Sequence, residues 1–74
     1  MAALFDSVVQ ASGLSPIFAP STLKRACERA GVNTETMTKQ DLVKALPNIR
    51  KALETFMPMA DVETRMRAIS KLTT

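Results

Sequence analysis

The side chains best suited to chemistry are one thiol, Cys27, and a set of carboxylates, of which Asp41, Glu54, Asp61 and Glu63 lie in the second half of the chain. A cysteine nucleophile needs a nearby base and a polar, partly exposed setting to reach its thiolate form. General acid–base catalysis most often uses histidine, and there is none. Cys27 falls instead on an apolar stripe between Ala26 and Ala30, which reads as a small buried side chain. Each carboxylate has a simpler role as a helix cap or a solvated charge. Asp61 and Glu63 lack the further oxygen ligands that a calcium loop places at fixed spacing. One thiolate without histidine does not make a structural zinc site. Gly13 and Gly31 are the only glycines, so a glycine-rich phosphate loop is absent. The expectation is a chain that is not an enzyme, with no catalytic residue, metal or cofactor.

Binding chemistry remains. Net charge is +3, a mild excess in which Glu28 and Glu54 are interspersed among the lysines and arginines. Such a pattern suits solvated helix faces more than a polyanion track. The three phenylalanines all occupy apolar positions, leaving no aromatic platform for single-stranded nucleic acid.

One local pattern, between Arg25 and Leu42, points toward DNA. Cys27 stands four residues before Gly31, Val32 follows the glycine, and Met37 stands six after it. In this the segment resembles the turn and recognition-helix start of bacterial repressor helix-turn-helix segments. The resemblance implies that Thr34, Glu35, Thr38 and Lys39 face the major groove or its phosphates. Arg25 and Arg29 join Thr34, Thr38 and Lys39 as nucleic-acid candidates. The family has an apolar residue nine after the glycine, where this chain has Gln40. A second parse starts the helix later, with Thr38 as N-cap, Asp41 at N3 and Met37 stapled onto Leu42. That parse makes the connector too long for the motif's tight turn.

A protein partner is the first expectation, through Phe56, Met57, Met59 and Met66 in the C-terminal third. Methionine adapts to irregular surfaces, although the same residues could equally fill a small core. A partner helix would lie beside the seam described below, with anchors three and four residues apart. Closing the core as a homodimer is a further expectation; nucleic acid is the alternative partner, and a membrane is not expected.

The elements that must position these residues read as helices. Residues 2–12 carry Leu4, Phe5, Val8 and Val9 on one stripe and stop at Ser12 and Gly13. Residues 14–20 contain two prolines and read as a connector whose Leu14, Ile17 and Phe18 pack inward. Ser21 is the expected N-cap of a second helix, ended by Gly31 at C′ and by Val32 closing onto Cys27. Leu42, Leu46, Ile49, Leu53 and Phe56 then form one apolar seam through Pro47. The unbroken apolar phase suits one helix bent at Leu46 and Pro47, while the roughly 3 kcal/mol cost of an interior proline leans toward two short helices meeting there. Pro58 ends that unit, and Asp61 is the expected cap of a last helix bearing Val62, Met66, Ile69 and Leu72.

Length and composition agree. The 74 residues suit one helical domain spanning residues 1–74. Two glycines and 4% aromatic residues argue against a hairpin-rich β fold. The expected fold is all-α, a bundle of four or five short helices in orthogonal or irregular packing. The expected core is Leu4, Phe5, Val8, Leu23, Cys27, Leu42, Leu46, Ile49, Leu53, Phe56, Met66 and Ile69. The first residues lack a basic secretory n-region, and a lone cysteine suits a cytoplasmic, reducing setting.

Overall fold

Local signals set most of the helix ends, as a computed structural model describing residues 3–73 shows. Four α-helices follow in order: α1 Ala3–Ser12, α2 Ala19–Arg29, α3 Lys39–Glu54 and α4 Met59–Ser70, with a final 3₁₀ turn at Lys71–Thr73. Ala2 of the expected first helix lies outside the described residues. The fold is a small all-α bundle.

The α1 stop is as expected. Gly13 takes φ +72°, and the buried Ser12 hydroxyl donates to the Val9 carbonyl at 2.7 Å. The guanidinium of Arg65 packs over Gly13, close enough that a Cβ there would collide with it. At the end of α2, Gly31 has φ +79°; its N–H donates to the Glu28 carbonyl and the Val32 N–H donates to the Cys27 carbonyl at 2.9 Å. These are the two bonds of a Schellman ending, and Val32 and Cys27 are both buried in the core. Thr38 and Asp41 form a reciprocal capping box at the start of α3, each backbone N–H donating to the other's side chain at 3.2 Å.

Three expectations are corrected. First, α2 begins at Ala19, two residues before Ser21, whose hydroxyl donates to the Phe18 carbonyl at 3.2 Å. Pro20 falls in the first turn, where a missing N–H has no intrahelical partner to lose. Second, α4 begins at Met59 after Pro58 in extended conformation, so Asp61 sits in the first turn and Pro58 occupies the cap position. Third, α3 runs unbroken through Pro47. Pro47 lies on an exposed face, as does Val43 one turn earlier, so water can reach the carbonyl that loses its partner.

Each helix is covered by its neighbours. α2 packs on α3, α3 on α4, and α1 bridges α2 and α4, closing a ring. One cluster unites all four helices, with Val8, Leu23, Cys27, Leu42, Ala45, Ile49, Leu53, Val62 and Ile69 fully buried. The radius of gyration, 10.7 Å, is slightly below the roughly 11 Å expected for a chain of this length. Of the expected core, Leu4 and Leu46 are half-buried against the cluster, and Phe56 is a surface residue. α3 ends at Glu54, so the seam's helical phase no longer governs position 56. Met57 turns back against the core there instead, its N–H bonded to the Leu53 carbonyl at 3.1 Å.

Candidate functional site

The connector between α1 and α2 makes the surface feature that sequence periodicity missed. Ser15 starts a tight turn: its carbonyl accepts from Phe18 N–H at 3.2 Å and from Ala19 N–H at 2.8 Å. Pro16 presets the turn at the position where proline is favoured. The result puts Pro16 and Ile17 at an outward tip. Ile17 is 91% exposed and Phe18 is 37% exposed, whereas both were expected to pack inward. Only Leu14 of that trio rests against the core. Phe18 stacks instead on Phe56, with ring centroids 5.1 Å apart and planes inclined by 29°. Phe56 remains 49% exposed. The stack joins the start of α2 to the end of α3 and stays partly exposed, with Ile17, the chain neighbour of Phe18, standing in solvent at the turn.

A groove of about 560 Å³ leads away from Phe56 between α2 and α3. Thr22, Arg25, Ala26 and Arg29 line it from α2, and Asn48, Lys51, Ala52 and Thr55 face them. It holds three cations and no carboxylate. Among the described residues, Arg25, Arg29 and Lys51 make no ion pair. Arg50 is the contrast: it bridges Glu54 at 3.5 Å and Glu63 across the α3–α4 boundary, and its guanidinium reaches the Met59 sulfur at 3.5 Å.

The residues singled out in the sequence are therefore divided. Phe56 belongs to the partly exposed stack, and Met57 lies half-buried beside it in the chain. Met59 is exposed, with its sulfur against the Arg50 guanidinium. Met66 is 8% exposed and is part of the core. Of the nucleic-acid candidates, Arg25 and Arg29 line the α2–α3 groove. Thr34 is buried in the connector, beside Glu35 and Lys24, and Thr38 spends its hydroxyl on the cap. Neither they nor Lys39 line the groove. Residues 30–38 separate α2 from α3, a connector longer than the three- or four-residue turn of the helix-turn-helix motif. Lys51, Asn48 and Ile17 had no sequence signal beyond ordinary polar or apolar character.

Cys27 is fully buried, and burial, with the charge of Glu28 adding to it, raises its pKa. The folded thiol therefore holds its proton to higher pH than the unfolded one. The stability this gives is complete below the ordinary thiol range and is lost as pH climbs through the raised folded value. Iodoacetamide at about pH 8 is expected to label Cys27 only as fast as the chain opens, and urea is expected to accelerate it. Mass spectrometry of the labelled chain over time measures this; labelling at the rate of a small free thiol would place Cys27 at the surface. Among the described residues no group of three His, Cys, Asp or Glu side chains is placed to hold a metal ion, and no helix is long and apolar enough to cross a membrane.

Comparison with known protein families, with curated proteins and with solved structures gives no match to this chain.

Proposed function

We propose that this chain is a small non-catalytic helical module that binds another protein, and that the contact centres on Ile17, Phe18 and Phe56. The observation that carries the reading is the exposed Phe18–Phe56 stack beside Ile17. In a chain this small, large apolar side chains standing in water at one place and rimmed by polar groups mark an interaction surface. Their burial is withheld from the fold itself, whose core is complete without them. Aromatic side chains, phenylalanine among them, are enriched at protein interfaces. Met57, half-buried at the edge, can adapt the rim. A cytoplasmic setting suits a lone buried thiol.

Helix-turn-helix DNA binding has less support. The long connector and the buried Thr34 separate the residues that the motif needs on one face. Self-association groove to groove is also weaker, because it would set the cations Arg25, Arg29 and Lys51 opposite a second set of cations.

The paired change Ile17→Ser with Phe56→Ala tests the reading. Ile17 is at the surface, but Phe56 also stacks on Phe18, so the melting temperature is expected to fall by several degrees while the helical fold is kept, which circular dichroism checks before binding is compared. Loss of an aromatic anchor typically costs 2 kcal/mol or more of binding, roughly 30-fold in affinity. Affinity capture from the native host, comparing parent and variant side by side, is expected to lose its specific partners in the variant. Identical protein sets from both chains would show that this face does not bind.

A further inference from the structure

We infer that the segment docking on this face is an acidic amphipathic helix, seated in the groove between α2 and α3 with an apolar side chain against the Phe18–Phe56 stack. This rests on the protein-binding reading above and adds the chemistry of the partner.

Both walls of the groove carry the same helical spacing. Arg25, Ala26 and Arg29 project from α2, Lys51 and Ala52 from α3, and Thr55 from its C-cap. The alanines make a low floor, Ala26 buried and Ala52 half-buried, so a third helix axis can approach closely. From Thr22 to Arg29, and from Asn48 to Thr55, each wall spans about 10 Å, or two helical turns. A docked helix of two to three turns matches that length, with contacts repeating every three or four residues.

Charge selects the occupant. Three cations face the groove, no carboxylate of this chain lines it, and none of the three is neutralised by an ion pair among the described residues. Acidic side chains on the partner would complete them, and a basic or neutral segment would not. The apolar end favours a peptide over a nucleic-acid strand, since Ile17 and the ring edges suit an apolar side chain and only the outer ring faces are open to a base. Phe18 and Phe56 already occupy one face of each other's ring, and Ile17 has no ring on which a base could stack. An aliphatic or aromatic side chain fits that end directly. A second copy docking through the same groove would bring like charges together.

The test pans the full chain against a display library of random peptides of about 16 residues, long enough for four turns. Selected peptides are then synthesised and measured against the parent, Arg25→Glu with Lys51→Glu, and Phe56→Ala. The expected peptides have a net negative charge and apolar residues at helical spacing, and each variant weakens them by about tenfold or more. Reversing the peptide's acidic residues to lysine is expected to restore binding to the double glutamate variant. Should that variant melt early, Arg25→Ala with Lys51→Ala gives the same reading. Neutral or basic peptides, or acidic ones indifferent to the charge change, overturn the acidic-helix inference; if Phe56→Ala still abolishes their binding, the docking face itself stands. No selected peptide, or peptides indifferent to every variant, overturns both. Displacement of the peptide by an oligonucleotide of about 20 nucleotides that binds more tightly at about 150 mM salt overturns both in favour of nucleic acid.

Discussion

Leu53→Ala is expected to lower the free energy of unfolding by about 2–5 kcal/mol. Leu53 is fully buried in the core cluster on α3, the helix that packs on both α2 and α4, so the truncation opens a cavity in the one core the helices share. Domains of this length hold on the order of 4–11 kcal/mol in total, so the variant sits near the edge of folding. Each kcal/mol lost corresponds to about 4–8 °C of melting temperature. Thermal and urea melts followed by circular dichroism measure it. Leu46→Ala, one helical turn from Ile49 but only half-buried, is expected to lose clearly less. An unchanged melting temperature for Leu53→Ala would remove that residue from the core.

Pro47→Ala should move stability the other way, upward by about 1–2.5 kcal/mol. α3 continues through Pro47, which cannot donate to the Val43 carbonyl and crowds it. An interior proline costs about 3 kcal/mol relative to alanine. Two terms reduce the gain. Proline stiffens the unfolded chain, worth about 0.4–1 kcal/mol. Its ring also lines the shallow groove between α3 and α4, beside Leu46 and Met66. The sum still favours alanine, because Pro47 is exposed and its ring has little burial to lose. A rise in melting temperature, with the helical circular-dichroism signal kept or increased, is the expected result. A fall would mean that ring contacts and chain stiffness outweigh the missing hydrogen bond.

The two predictions separate what is local in this chain from what is not. The capping box at Thr38 and Asp41, the Gly31 ending and the Gly13 stop were legible in the sequence, because each is a bond or a conformation closed within a few residues. The buried stripe through Leu42, Ile49 and Leu53 was legible for the same reason: helical period alone puts them on one side. Pro47 was not. Its penalty is local, but whether a helix continues depends on whether the face carrying the proline meets water or a neighbour.

The candidate site was hardly legible at all. Periodicity tells which side of a helix is apolar, but not which polar sides will adjoin, so Arg25 and Arg29 gave no hint of Lys51 across the groove. Phase also stops at a helix end, which is why Phe56 left the seam and Ile17 and Phe18 turned outward around Pro16. The amino-acid sequence by itself determined an all-helical chain, its caps and most of its core, since those follow from hydrogen bonds and burial within single helices. Only the tertiary structure decided that Phe18 would meet Phe56 and that three cations would share one groove, because both depend on how α2 and α3 are laid together.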